Sequence, residues 1–218
     1  MLNTVPPHLE GLLRSGCLAT GVDGAGLSIL ATSGAREPLY ATDDLATQIE
    51  RLQLTLGEGP CVDSSNTSSP VLIPDLADPQ DPVASRWPVF RAEANRLGAR
   101  AIFAFPINIG AIGLGAVDLY RLSPGPLTDP QLSSALTTVD RVGLAVLEAP
   151  DQYDDPSAPA MTSMVVHQAA GMVMAQLDSS IQEAMVRLRA AAFAENRTVN
   201  ELAADVVNGH RHLAKETE

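Results

Sequence analysis

The sequence predicts an α+β protein in two parts, a mixed N-terminal region followed by a small helical C-terminal region. Three observations support this prediction. Two strand-like runs at 101–109 and 112–120 are separated only by a Gly-Ala pair, which is typical of a β-hairpin. A stretch rich in proline and aspartate at 149–159 interrupts the chain. After it, two helix-capping boxes follow in close succession and mark the beginnings of two helices.

Helix and strand signals alternate at the start of the N-terminal region. An amphipathic stretch at 9–17 predicts a short helix, and the runs at 26–31 and 38–42 predict two strands joined by a Ser-Gly turn. The aspartate pair at 43–44 can cap a helix that extends to Leu54. The predicted apolar stripe of this helix is Leu45, Ile49, Leu52 and Leu56.

A long irregular region is predicted at 57–86, where five prolines occur and only 71–73 resembles a strand. Loops of this length are uncommon and usually serve a function such as covering a ligand site. A helical pattern at 87–97 then precedes the hairpin. A T-x-x-Q box at 128–131 begins the last helix of this region. Its predicted apolar stripe is Leu132, Leu136, Val139, Val142 and Val146.

Apolar periodicity predicts three short helices within 161–215. The first begins near 162–163, and capping boxes at 180–183 and 198–201 begin the second and the third. The inward-facing residues are predicted to be Val165, Val166, Ala169, Ala170, Val173, Leu177, Ile181, Ala184, Met185, Leu188, Ala192, Val199, Leu202, Ala203 and Val206. A unit this small buries little surface and often works as a dimer or joined to a partner. Periodicity alone leaves both a nucleic-acid module and a structural dimerisation bundle open.

Composition excludes several function classes. The chain has 26 acidic against 14 basic residues, a formal net charge of −12, and 45% hydrophobic residues, enough to build a core. The only lysine is Lys215, near the C-terminus, which excludes a P-loop, a Schiff-base enzyme and a phospho-receiver domain. No G-x-S-x-G, H-E-x-x-H or dinucleotide-binding motif is present, so we expect no enzymatic activity.

The two cysteines, Cys17 and Cys61, are too few and too far apart for a zinc site or a disulfide framework, so no metal site is predicted. They indicate reduced thiols in a cytoplasmic protein. No signal peptide is expected, and the longest apolar stretch, 101–117, is too short and too interrupted to span a membrane.

Cys61 lies in the predicted irregular region together with three acidic residues, Glu58, Asp63 and Asp75. These four side chains are candidates for lining a ligand pocket or, through the thiol, for a redox site. The alternative is that the carboxylates are solvated loop residues, which is the commoner situation for acidic side chains.

The N-terminal region resembles a GAF domain of the kind found in actinobacterial regulators. The resemblance lies in LGEGPCVDSS at 56–65, in FAFPINIGAIGLGAVDLYR at 103–121 and in the order of elements. It implies a sensor domain at 1–148 with a central antiparallel sheet, flanking helices, a covered small-molecule pocket and frequent dimerisation. The cyclic-nucleotide signature of some GAF domains is absent, so the ligand stays open and no cofactor is predicted.

The C-terminal region resembles an ANTAR domain. Ten positions fall on the family pattern: Ala169, Gly171, Met174, Glu183, Ala184, Leu188, Arg189, Ala192, Asn196 and Arg197. The predicted organisation is therefore a sensor domain, a linker at 149–160 and an ANTAR domain at 161–218. Ala170 stands where many family members have lysine, which removes one expected phosphate contact.

This resemblance implies RNA binding that prevents transcription termination. A homodimer would hold two adjacent stem-loops with hexanucleotide loops in a leader RNA, so that the terminator hairpin cannot form. RNA polymerase would be affected only through the nascent RNA, and no membrane partner is expected. The candidate RNA-binding residues are His167, Gln168, Ala169, Gly171, Arg187, Arg189, Asn196 and Arg197.

The candidate residues suit such a role despite the negative net charge. Screening limits electrostatic effects to about 8 Å at physiological salt, so a local basic patch outweighs distant acidic residues. Asn196 can contact base edges, and Gly171 either permits close backbone approach or packs tightly against another helix. Two alternatives remain at this stage: a DNA-binding three-helix module, and a ligand or thiol sensor whose helical bundle binds a protein.

Overall fold

The computed structural model describes residues 7–30, 36–110, 112–148, 159–195 and 197–213, which form two compact units. The first unit contains α1 (Pro7–Thr20), β1 (Gly24–Leu30), β2 (Arg36–Ala41), α2 (Asp44–Leu56), α3 (Pro60–Thr67), β3 (Val71–Ile73), a 3₁₀ turn (Ala84–Arg86), α4 (Pro88–Leu97), β4 (Ala101–Ile109), β5 (Ile112–Arg121) and α5 (Asp129–Glu148). The second contains α6 (Pro159–Leu177), α7 (Ile181–Ala194) and α8 (Val199–Val207).

The first unit is built on a five-stranded sheet in the order β2-β1-β5-β4-β3, in which all neighbours are antiparallel. The predicted hairpin is confirmed as β4 and β5. Strand β5 lies between β1 and β4, so that Asp118 pairs with Gly26 on one side and with Ala104 on the other. This central position buries most of β5.

The two faces of the sheet differ because alternate strand residues point to opposite sides. Phe103, Phe105, Val117 and Leu119 face an apolar core completed by α1 and α5. The helices contribute Leu9, Leu13, Cys17, Ala135, Val139, Val142, Ala145 and Val146 to this core. On the opposite face, α3 packs against β4 and β5. The intervening residues of β1 and β5 face this second side, and they include Asp118.

The region predicted to be irregular contains one regular helix, α3, and there the prediction was wrong. The helix has Pro60 in its first turn and ends at Ser68, which adopts a left-handed conformation with φ 51°. Its buried residues are Pro60, Cys61 and Ser64. A short helix whose inner face is a proline, a thiol and a hydroxyl has no apolar stripe, which explains why periodicity did not detect it. The short strand at 71–73 is confirmed.

Two residues predicted to face inward are instead exposed, Leu136 at 44% and Ile181 at 44%. Leu136 lies on the exposed side of α5 together with Leu144 and Leu147, away from the buried Ala135 and Val139. Ile181 is the first residue of α7, where a helix has fewer neighbours to cover it. The predicted turn between β1 and β2 and most of the predicted linker lie outside the described residues. Helix α6 already begins at Pro159, earlier than the sequence predicted.

The second unit is a three-helix bundle in which α6 packs against both α7 and α8. The predicted capping box at Thr198 is complete: its hydroxyl accepts from the Glu201 amide, and the Glu201 carboxylate accepts from the Thr198 amide. At Ser180 one half of the box forms, from the Glu183 amide to the hydroxyl. Fully buried small residues at the helix contacts, such as Ala169, Ala170, Ala192 and Ala203, allow close packing.

Among the described helices, none combines the length and the apolar character that a bilayer crossing requires.

The complete capping box predicts that Thr198→Ala destabilises the second unit by about 1 kcal/mol, because the Glu201 amide loses its acceptor. Urea unfolding of the full chain, followed by far-ultraviolet circular dichroism, measures this change. Thr137→Ala is the control, since Thr137 is exposed on α5 and, among the residues the structure describes, its hydroxyl bonds only to the Ser133 carbonyl of its own helix. An equal effect of the two substitutions would contradict a specific role for the cap.

Candidate functional site

Polar side chains cover the sheet face opposite the apolar core. Helix α2 buries Ile49, as predicted, and Ala46, but it also buries Glu50 and Gln53, each 3% exposed. The sheet accommodates Glu50 through Gly26, where any side chain would collide with the Glu50 carboxylate. The sheet-facing side of α2 is therefore partly polar.

Hydrogen bonds connect these helix residues to the sheet and to α3. Gln53 Nε2 donates to Asp118 Oδ2 at 2.5 Å, and Gln53 Oε1 accepts from the Cys61 amide at 2.8 Å. Ser28 Oγ lies 3.1 Å from Cys61 Sγ. Together, Ser28, Glu50, Gln53, Cys61 and Asp118 form what we call the buried polar cluster.

The cluster concentrates three ionisable groups in a dry environment. Burial raises the pKa of Glu50 well above its ordinary value, and the negative charge of Asp118 adds to this. Burial likewise raises the pKa of Asp118 to about 6, although the hydrogen bond from Gln53 and the positive charge of Arg36 oppose the shift. Burial also raises the pKa of the Cys61 thiol, which disfavours the thiolate needed for redox chemistry.

Cys61 is thus brought together with residues that the sequence analysis did not select. The three acidic candidates are placed differently. Asp63 pairs with Arg86 at 2.9 Å, and Asp75 pairs with Arg100 at 2.9 Å. The Ala77 amide and Arg100 hold the pKa of Asp75 below its ordinary value. Glu58 lies half-buried between α2 and α3.

The sequence did not predict that Glu50 and Gln53 are buried, because its apolar pattern assigned the inner face of α2 to the neighbouring leucines. The predicted stripe of α2 emphasised Leu45, Leu52 and Leu56, all of which are half-buried, rather than the two polar residues on the inner face. Asp118 offered a clearer signal, because it is a carboxylate within an otherwise apolar strand at the centre of a hairpin.

The pKa of Asp118 makes the stability of the protein depend on pH. The folded carboxyl, with a pKa of about 6, holds its proton more tightly than the unfolded one, at 3.8. The free energy of unfolding therefore falls as pH rises through this window. We expect Asp118→Asn, which stays neutral, to be more stable than the native protein at pH 7 by on the order of 2 kcal/mol and about equal to it near pH 4.

Urea titrations with a chelator present, at both pH values, measure this difference. Asp63→Asn, on the surface, is the control and should show no such dependence. A stability difference for Asp118→Asn that is the same at both pH values would contradict the burial of an ionisable carboxyl.

A second group of candidates lies on α6 in the second unit. His167 and Gln168 are exposed, whereas Ala169 is fully buried and presents no surface to a ligand. Gly171 is half-buried, and an added Cβ at this position would meet no atom of the described residues within 4 Å. The alternative that Gly171 serves tight helix packing is therefore wrong. Its backbone is accessible, next to two exposed polar side chains.

The arginine candidates differ in burial and in whether a carboxylate is already paired with the guanidinium group. Arg187 pairs with Glu183 at 3.4 Å on the helix surface, and Arg189 is half-buried on α7. Arg197 donates to Asp205 at 2.6 Å and lies 3.4 Å from Glu195, which removes much of its positive potential. Asn196 lies outside the described residues.

Ion pairs connect Arg197 and Arg211 with Glu195 at the end of α7 and Arg197 with Asp205 on α8. Glu195 accepts from Arg211 Nη2 at 2.8 Å, so this carboxylate contacts Arg211 as well as Arg197. Arg197 also donates to the Glu201 carbonyl at 3.1 Å. Arg211 was not among the sequence-based candidates, and no local motif marks it.

One comparison with known proteins finds a family match within the second unit. Residues 161–207 match the family model of the ANTAR domain. The comparison with curated proteins yields no match.

Solved structures resemble the first unit. The GAF domain of a phosphoenolpyruvate-protein phosphotransferase from Coxiella burnetii has a TM-score of 0.51 and 16% identity, covering 68% of this chain and 88% of that chain. GAF3 from Slr1393 of Synechocystis sp. PCC6803, in its photoproduct state, has a TM-score of 0.51 and 10% identity, covering 68% and 98%.

The GAF domain of the corresponding phosphotransferase from Acinetobacter has a TM-score of 0.50 and 12% identity, covering 67% of this chain and 84% of that chain. Identities this low show a shared fold and nothing more. The chain therefore combines a domain of the GAF fold with a C-terminal segment that matches the ANTAR domain, a module known for RNA binding and antitermination.

Proposed function

We propose that this protein is a signal-responsive antiterminator of the actinobacterial GAF–ANTAR type. Its ANTAR domain binds two adjacent stem-loops with hexanucleotide loops in a leader RNA in the cytoplasm, which prevents the terminator hairpin from forming. The observation that carries the proposal is the ANTAR match at 161–207, which spans almost the whole three-helix unit.

The exposed side of α6 provides the proposed contact surface for loop bases. Proteins read unpaired RNA bases by hydrogen bonding and stacking. His167 offers a ring for stacking and Gln168 an amide for hydrogen bonds, and both are exposed. Gly171, one turn later, leaves the helix backbone open to close approach. Asn196 completes the proposed base contacts.

Buried residues in the same segment act by holding α6 in place. Ala169 and Ala170 are both fully buried. The position at which many ANTAR domains have lysine is therefore an inward-facing one in this chain. The proposed phosphate contacts come from Arg189 and from Arg187 and Arg197, each of the last two in exchange for its present carboxylate partner.

Pairing of two chains would compensate for the weak electrostatics of each module. Two linked RNA loops that bind two linked domains raise the apparent affinity through effective concentration, by roughly 100-fold or more. The surface of the first unit supports a homodimer, because α5 exposes Leu136, Leu144 and Leu147. We expect a signal in the first unit to act on the RNA-binding unit through this dimerisation.

The accessible backbone at Gly171 gives a sharp test of RNA binding. Gly171→Ala should stabilise the helix by about 1 kcal/mol, since alanine is the better helix former and meets no neighbour. It should nevertheless weaken binding to a paired hexaloop RNA roughly 10-fold, or about 1.4 kcal/mol, because the methyl group blocks close approach. Gel shifts measure the affinity, and thermal unfolding measures the stability.

The matched control is Gly11→Ala in the first unit, another helical glycine whose added Cβ meets no atom of the described part of the chain within 4 Å. It should leave RNA binding unchanged. Duplex DNA and a loop-scrambled RNA of equal charge are compared in parallel. Equal binding of all three nucleic acids, or of none, would overturn the proposed function.

The paired arginines also predict the salt dependence of RNA binding. With only a few free cations per module, the slope of log K against log salt should be shallow, well below about ten in magnitude. A titration of the native protein with the paired hexaloop RNA measures the slope. A magnitude of about ten or more would show that phosphate contacts dominate the free energy of RNA binding, contrary to the pairing of the arginines with carboxylates.

A further inference from the structure

The buried polar cluster contains three side chains of types that bind metal ions. Glu50 comes from α2, Cys61 from α3 and Asp118 from β5. One ligand atom from each, a carboxylate oxygen or the sulfur, lies within 4.8 Å of the other two. Zinc binds carboxylate oxygen at about 2.0–2.2 Å and thiolate sulfur at about 2.3 Å, which places its ligand atoms roughly 3.5 Å apart. Small side-chain movements would bring the three atoms to one ion.

One oxygen of the cluster has no partner. Asp118 is 3% exposed, its Oδ2 accepts from Gln53, and its Oδ1 has no hydrogen-bond partner among the described residues. Buried carboxylate oxygens are almost always paired, because an unpaired one loses its hydration without compensation. An additional ligand at Oδ1 would remove this cost.

The negative charges of the three ionised ligands would be neutralised by Arg36 and one divalent cation together. Two carboxylates and one thiolate carry three negative charges when ionised. Arg36, half-buried on β2, is the positive side chain whose charge acts on all three groups. A divalent cation together with Arg36 would therefore neutralise the cluster, whereas the carboxylates alone would repel each other.

The donor types select among metals. Magnesium and calcium prefer oxygen ligands only, whereas a thiolate favours zinc and related transition ions. The surrounding residues also suit a metal site, because Gln53 orients Asp118 and the Cys61 backbone while Ser28 contacts the sulfur. Such supporting hydrogen bonds fix the ligands and tune affinity.

We propose that Glu50, Cys61 and Asp118 bind one divalent transition-metal ion, with zinc as the preferred ion, inside the GAF-fold unit. The site lies between the sheet and the helices α2 and α3, and it does not depend on the proposed RNA binding. Three protein ligands leave a fourth position open on a tetrahedral ion, where a water or a small signal molecule can coordinate.

The test uses the full chain, with affinity tags removed, after dialysis against a chelator and a reductant. Zinc is added, excess is removed by desalting, and bound metal is measured by mass spectrometry. We expect one zinc ion per chain, with no displacement by excess magnesium or calcium. Cobalt replaces zinc in a second titration, because a thiolate ligand gives cobalt a near-ultraviolet charge-transfer band that histidine or carboxylate ligands do not give.

Matched variants assign the band to the cluster. Cys61→Ser should abolish it, whereas Cys17→Ser should keep it, since Cys17 belongs to the apolar core on the other face of the sheet. Asp118→Asn should stay folded and lose the increase in thermal midpoint that zinc gives the native protein. Gln53→Ala, which removes only a supporting contact, should weaken binding by about 10- to 100-fold.

Three results would overturn the proposal: no zinc retained by the native protein, a cobalt band that persists in Cys61→Ser, or equal zinc stabilisation of Asp118→Asn and the native protein. Circular dichroism of each variant without metal establishes that it is folded. If Cys61→Ser fails to fold, the comparison of Asp118→Asn with the native protein decides the question alone. RNA binding by the ANTAR domain is measured separately, so either proposal can fail without the other.

Discussion

The first unit depends on the antiparallel pairing of β5 with both β1 and β4. This pairing fixes which residues of β5 face each side of the sheet, since a shift by one residue would exchange the two faces. In the observed register Val117 and Leu119 enter the apolar core, while Asp118 enters the buried polar cluster. The same strand therefore supports a hydrophobic core on one side and ionisable chemistry on the other.

Space for the polar cluster comes from small residues beside Asp118. Its two strand neighbours are Gly26 and Ala104, and Gly26 lets the Glu50 carboxylate approach the sheet. Larger side chains there would fill the face and produce a second apolar core. Burying two carboxylates and a thiol costs stability, and a functional site is the usual reason for a fold to retain such a cost.

The sequence predicted the features whose causes are local. The hairpin, the helix that begins at Thr198 and the apolar faces of α6 and α8 all follow from turns, caps and periodicity within a few residues. Helix α3 was missed because its inner face has no apolar stripe. The cluster was missed because Glu50, Cys61 and Asp118 meet only through the sheet register and the packing of two helices. The ion pair of Arg197 with Asp205 was not predicted because Asp205 lies eight residues further along the chain, on α8.

The charge arrangement of the second unit constrains how an ANTAR domain in so acidic a chain can select RNA. Arg187 and Arg197 are both paired with carboxylates, so forming a new contact to phosphate means giving up an existing ion pair. Exchanging one ion pair for another near the surface yields little net free energy. Most of the specific binding energy must then come from bases that stack or hydrogen-bond on α6 and from the joint binding of two loops. An RNA with a single loop would gain little from charge alone, which makes the paired arrangement of loops, rather than total phosphate, the feature to which such a protein can respond.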